Sequence, residues 1–397
     1  MDQDISALRT QLAEDDTIAT RSALGAALRQ RWLTDGGWTD WVDWATTVSS
    51  IPRANLVEVG AVNVKLRPEL NAKLEGHWVQ LQPWLAPQGY MLPSRYQPDW
   101  QPSWLKAPNR SELLSADTLW SLRPHLAYAT RISDNTRVIL KICQEDRYSE
   151  VSIMAFFSSE PRRSDPQNHC YPLLDVLWPP LLRGRAHLIV VVPLLRSIIY
   201  PPPDTVGEMV KCISDFAEGL EFMHQNNVAH RDIAEPNVMV DVPNIVSEPW
   251  HPWGAWGNHD YTVYTEDGKL PRDIVPRLRS KFLVKYHFLD LGSSSAFNDP
   301  LSSSRLVVGT EAINRDVPEL SETVPFDPFP ADIGMFGDMV RDLFNQFPFP
   351  QRYQGLDFLN SLLTRMCHDD PAQRYSASEV VAVLDKILRR TSRITLR

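Results

Sequence analysis

The chain has 397 residues, with 40 Lys and Arg against 49 Asp and Glu and a net charge of −9. That balance excludes a nucleic-acid-coating role, because neutralising phosphates takes a clustered basic surface. The polar, acidic start and the lack of any apolar run near about 18 residues predict no signal peptide and no membrane span. The four cysteines (Cys143, Cys170, Cys212, Cys367) have no metal-ligand spacing and read as free thiols in a reducing compartment, so the expectation is an intracellular protein, cytoplasmic or nuclear.

Residues 3–14 carry Ile5, Leu8 and Leu12 on one face and a second helical stretch covers 20–33, which predicts a small helical hairpin. Trp32, Trp38, Trp41 and Trp44 follow, bulky side chains that suit the core of a small module. The Pro-rich run 83–108 interleaves Trp84, Tyr90, Tyr96, Trp100 and Trp104. Proline fixes φ and removes a donor, so this run predicts neither helix nor central strand. It reads as an extended strap packed on a neighbouring lobe. The boundaries drawn are a helical, Trp-rich extension over 1–82, the strap over 83–116 and the main domain over 117–397.

The turn Ser133-Asp134-Asn135-Thr136 separates two strands. The second of them, Arg137–Ile142, is apolar but for Lys141, and a Lys there is costly to bury unpaired. The helix that follows offers Glu150, with Ile153, Met154 and Phe157 at helical spacing. His187–Val192 is a further buried strand, and Phe216, Leu220, Met223 and His224 mark a long helix ending at Asn226-Asn227. Next comes His230-Arg231-Asp232-Ile233-Ala234-Glu235-Pro236-Asn237, a carboxylate followed five positions later by an amide. The interval to the next strand is too long for a hairpin, and the excess, 243–279, is an inserted loop with Trp250, His251, Trp253, Trp256 and His259. Its histidines lack a Cys or carboxylate cluster for a metal site and read as surface or packing groups. Lys285–Gly292 is a strand ending in Asp290-Leu291-Gly292. Val317-Pro318-Glu319, Asp332-Ile333-Gly334-Met335-Phe336-Gly337 and Asp370-Pro371-Ala372-Gln373-Arg374 complete the series.

These stretches, in this order, resemble the eukaryotic-type protein kinases from about Asp117 onward. Trp84–Tyr96, Asn168-His169-Cys170 and Asp327-Pro328-Phe329-Pro330 bring the chain nearest the kinase-like proteins of mushroom-forming fungi. The resemblance implies an α+β, two-lobed protein-kinase-like fold, with a small β-rich lobe over 117–195 and a large helical lobe over 196–397. It implies ATP and Mg²⁺ as cofactors. Lys141, held by Glu150, would meet the α/β-phosphates, Asp232 would accept the substrate hydroxyl proton, and Asn237 and Asp290 would hold the metal. Val192 would gate the adenine pocket, with the Pro193 carbonyl and the Leu195 N–H facing the purine edge. Glu319 and Arg374 would form a structural ion pair, and Asp332 would open a large-lobe helix.

Three departures bear on chemistry. No Gly stands between Trp120 and Lys141, where the phosphate loop would read Leu122–Ala127. Ala234 and Pro236 occupy positions that carry a phosphate-steadying Lys or Arg in kinases, and Glu235 places a negative charge beside them. The connection from Lys141 to Glu150 is short. Ser302, Ser303, Ser304 and Thr310 are candidate phosphosites or parts of a solvated loop, with Arg231 as a phosphate partner. The reading is a protein kinase-like phosphotransferase, Ser/Thr rather than Tyr. The alternatives are a pseudokinase scaffold or regulator and a small-molecule phosphotransferase. The partner is a protein substrate or a regulatory protein, with no nucleic acid and no membrane.

Overall fold

The computed structural model describes residues 6–8, 10–11, 23–27, 29–30, 72–105, 115, 117, 121, 123–144, 148–179, 187–199, 203, 205–241, 279–297, 305–345 and 356–390. The tryptophans at 32–44, the insert up to residue 278 and Ser302, Ser303 and Ser304 lie outside them. The chain divides into two compact units. The first comprises Met1–Glu160, Pro172–Leu194 and Val246–Pro276, and the second comprises Pro161–Tyr171, Leu195–Ile245 and Arg277–Arg397. Among the described residues, no helix is long and apolar enough to cross a membrane.

The first unit is built on a curled antiparallel sheet of β1 (Tyr90–Met91), β2 (Leu126–Arg131), β3 (Thr136–Gln144), β4 (Asp175–Leu177) and β5 (His187–Pro193), in the order β1-β2-β3-β5-β4. Alternation of period two sets its faces. Ala127, Ala129, Val138, Leu140, Ile189 and Val191 form one buried face. Helix α1 (Ala72–Leu85) and the strap cover it with Trp78, Leu81, Leu85, Tyr90, Leu92, Tyr96 and Trp100. Burying such side chains contributes about 1.5–3 kcal/mol each. The residues between them, Ile139 and Lys141, lie opposite Val192 and Val190 in the register.

The strap differs from its sequence reading in two respects. Helix α1 runs through Pro83 in its last turn, at the cost of the backbone hydrogen bond that residue 83 would make to the Val79 carbonyl. Tyr90–Met91 is an edge strand paired with Thr130–Arg131, so the strap belongs to the sheet and the first strand lies well before residue 117. Polar ties hold it down. The Arg95 guanidinium donates to both carboxylate oxygens of buried Glu75 (2.6 and 2.8 Å), and Asp117 accepts from the Trp100 indole (3.1 Å) and the Ser103 amide (2.8 Å).

The second unit centres on α3 (Val206–Gln225). Thr205, Val206, Gly207 and Glu208 have the composition of a capping box, and the Thr205 hydroxyl accepts from the Glu208 amide at 3.1 Å. Phe216 packs its ring 5.4 Å from Tyr286 and 5.1 Å from Phe288, which belong to β9 (Lys285–Phe288). That strand pairs with β8 (Val238–Asp241), which pairs with β6 (Arg196–Ser197). Between α3 and β8 lies the short strand β7 (Val228–Ala229), paired with β10 (Ser295–Ala296). Farther on, β11 (Val307–Gly309) and β12 (Ser321–Phe326) form a ribbon. Helix α4 is Pro328–Asn345, α5 is Asn360–Met366 and α6 is Ala377–Arg390.

Asp332 does not open its helix, since α4 begins four residues earlier at Pro328. Proline is tolerated in a first turn, where its missing N–H has no helical partner to lose. Asp332, fully buried, accepts instead from the backbone amides of His230 and Arg231, each at 2.7 Å, and meets the His224 ring at 3.0 Å. It therefore holds the start of the 230–237 loop rather than the start of a helix.

Candidate active site

Each unit contributes its own group of polar residues. In the first, α2 (Tyr148–Phe157) follows β3 and brings Glu150 to Lys141, whose Nζ donates to Glu150 Oε1. Glu150 is 1% exposed and the Lys141 side chain 17%. A buried carboxylate this close to an ammonium fixes where that ammonium sits. Val192 and Pro193 end β5, while Leu195 opens the second unit.

The resemblance to protein kinases would put a phosphate loop in the connection from β1 to β2. Here it spans residues 92–125 and contains no Gly, a wider gap than the sequence reading drew. Its end is tethered: the Pro124 carbonyl accepts from the Trp78 indole (2.9 Å) and the His77 ring (2.8 Å).

In the second unit the 230–237 loop is held from several sides. His230 is fully buried. Its Nε2–H donates to the Leu289 carbonyl (2.9 Å) and its Nδ1 accepts from the Asp232 amide (3.2 Å). These two bonds fix one tautomer. Arg231 has φ 67° and Asp290 has φ 57°, left-handed conformations that cost a non-Gly residue about 1–3 kcal/mol each and occur at functional sites. The Arg231 guanidinium donates to the Ser295 hydroxyl (3.0 Å) and the Val308 carbonyl (2.7 Å), positions it would leave to meet a phosphate. Thr310 donates its hydroxyl to Glu322.

Asn237 donates both amide hydrogens to Asp232, one to its backbone carbonyl (2.9 Å) and one to Oδ2 (2.8 Å). Its Oδ1 is thereby turned away as an acceptor. The Asn237 carbonyl accepts from the Leu289 amide (2.8 Å), which seats the residue before Asp290 against the loop. The other Asp232 oxygen, Oδ1, accepts from the Ile313 amide at 2.7 Å. Each carboxylate oxygen keeps a second lone pair for an incoming hydroxyl. Sequence reasoning missed this contact, because a backbone donor leaves no side-chain signature. The oxygen-only donor set of Asn237 and Asp290 fits Mg²⁺, a hard cation that takes oxygen ligands.

Glu235 also differs from its reading as a bare negative charge. Burial pushes its carboxyl above the ordinary range, and the Ser197 hydroxyl, which donates to it at 3.2 Å, works against that rise. Ala234 is buried. Glu319 and Arg374 come together in two parallel bonds of 2.5 and 2.9 Å, away from the 230–237 loop in sequence but in the same unit.

A family model described as protein tyrosine and serine/threonine kinase matches residues 194–247, which take in α3, the whole 230–237 loop and β8. No curated protein matches the chain. The chain is a mixed α+β protein with a curled antiparallel sheet, and its segment around Asp232 and Asn237 is similar to protein kinases.

Proposed function

We propose that the protein is a phosphotransferase of the protein-kinase type, moving the γ-phosphate of ATP to a protein hydroxyl, serine or threonine rather than tyrosine. The observation that carries this reading is the Asp232–Asn237 bond, which aims a carboxylate and an amide oxygen from one short loop. Lys141 binds phosphate oxygens, with Glu150 keeping its ammonium in place. Asp232 takes the hydroxyl proton onto its carboxylate as the substrate oxygen bonds to phosphorus and the bond to the β-phosphate oxygen breaks. His230 and the Ile313 amide hold Asp232 for that transfer. Asn237 and Asp290 would hold Mg²⁺, which when bound neutralises phosphate charge. Val192, Pro193 and Leu195 are the proposed adenine contacts.

A second reading, a pseudokinase scaffold or regulator, is favoured by the connection 92–125, which has no Gly to bring its backbone close to phosphates, and by Ala234 and Pro236. Losing one such electrostatic group costs about 10²–10³ in rate, so the enzyme is expected to be slow.

Thermal unfolding of the full chain with ATP and Mg²⁺ separates binding from its absence. Saturable stabilisation of about 2.7 kcal/mol is expected at a hundredfold excess over Kd, a rise of roughly 3–5 °C. No shift at millimolar nucleotide would exclude the enzyme reading.

A further inference from the structure

We propose that His169, Asp215 and Glu218 form a site for a divalent transition cation, with zinc the best match. None of the three takes part in the phosphotransfer chemistry above. The His169 ring is buried, at 4% exposure, and its Nδ1 lies 2.7 Å from the Tyr286 carbonyl. A carbonyl only accepts, so Nδ1 carries the hydrogen and Nε2 presents a lone pair. Nε2 stands 4.0 Å from another acceptor, Glu218 Oε2, and has no hydrogen-bond partner among the described residues. Asp215 supplies the third ligand. It lies three residues before Glu218 on α3, so the two carboxylates share a face of the helix.

One ligand atom from each residue lies within 4.8 Å of the other two. Ligands on a tetrahedral zinc at ~2.1 Å stand about 3.4 Å apart. Glu218, whose side chain is 41% exposed, closes that difference by changing rotamer. The helix is also shaped for the ring. A Cβ at Gly219 would lie 2.4 Å from the His169 Cβ, so the imidazole packs where the helix has no side chain. A histidine that binds through one nitrogen while the other donates to a carbonyl is the usual arrangement for a metal ligand.

Burial disfavours protonation of His169, the Tyr286 carbonyl works against that, and of the charged groups facing the ring Lys285 and Lys211 oppose protonation while Glu218 favours it. The Lys211 ammonium contacts Asp215 Oδ1, but its side chain is 68% exposed and can withdraw into water. One imidazole and two carboxylates suit zinc, leaving a fourth position for water, whereas Mg²⁺ favours oxygen ligands alone. The His169 carbonyl accepts from the Phe288 amide at 2.8 Å, so a cation on this ring would brace β9, the strand that leads to Asp290.

The test is Zn²⁺ binding by the chelator-stripped full-length chain, followed in competition with a chromophoric chelator and by Co²⁺ absorption in the visible. One equivalent is expected that excess Mg²⁺ does not displace. It should weaken at least tenfold in Glu218→Gln and disappear in His169→Gln, with Gly219→Ala also impaired. Glu218→Gln changes a partly exposed side chain and keeps the test decisive if His169→Gln fails to fold. Equal stoichiometry and affinity in wild type and Glu218→Gln, or no Zn²⁺ binding by wild type, would overturn the proposal.

Discussion

Arg374→Ala is expected to lower the unfolding free energy by about 3–5 kcal/mol, read from urea denaturation followed by circular dichroism. The Arg374 side chain is 1% exposed and makes four bonds. Two go to Glu319, one to the Pro330 carbonyl (2.9 Å) and one to the His368 carbonyl (2.8 Å). Truncation removes the donor from all of them at once and leaves the Glu319 charge nearly buried. Gly334 makes room for the guanidinium, because a Cβ there would lie 2.9 Å from Arg374 Nη1. The paired change Glu319→Leu with Arg374→Met should recover much of the loss, since an apolar pair of similar size is often as stable as a buried ion pair. A loss below about 1 kcal/mol in Arg374→Ala would show that the pair is not a structural tie.

Lys141→Met is expected to abolish the stabilisation by ATP and Mg²⁺ and to cost about 1–3 kcal/mol in the absence of nucleotide. The two losses have different causes. Nucleotide response requires the ammonium itself, whereas the stability loss comes from the Glu150 carboxylate, 1% exposed and deprived of its ion-pair partner. Adding Glu150→Gln to Lys141→Met should restore part of the stability without restoring the nucleotide response. A Lys141→Met variant with the wild-type thermal shift would remove Lys141 from the phosphate contacts.

Much of this arrangement is legible in the sequence where one residue type contradicts its surroundings. Lys141 interrupts an apolar strand and requires an acid, and Glu150 is the acid the next helix supplies. The 230–237 loop concentrates polar groups between a helical stripe and a strand, and its Asp-to-Asn spacing survives as a direct bond. The features that were not legible depend on contacts distant in sequence. A two-residue edge strand at Tyr90–Met91 has no periodicity to read, and its partner lies past residue 125. The proline composition of the strap hid the end of α1, because Pro83 falls inside the helix, where proline is ordinarily disfavoured. Asp332 looked like a helix start but acts as an acceptor for two backbone amides. Glu235 carried its charge in the sequence but sits where burial raises its carboxyl. Asp215 and Glu218 are ordinary helix carboxylates until His169 packs against the bare Gly219.

Transfer of labelled phosphate from γ-labelled ATP, in Mg²⁺, by the full-length protein and its Asp232→Asn variant tests the central assignment most directly. Asp232→Asn keeps the shape of the side chain but removes the proton acceptor, and its single amide oxygen can accept from Asn237 or from Ile313 but not from both. Slow Mg²⁺-dependent transfer by wild type is expected, with a fall of about 10²–10⁴ in the variant and an undiminished nucleotide-induced thermal shift. Nucleotide binding without transfer by wild type, or equal transfer by the two proteins, would contradict a phosphotransferase built on Asp232.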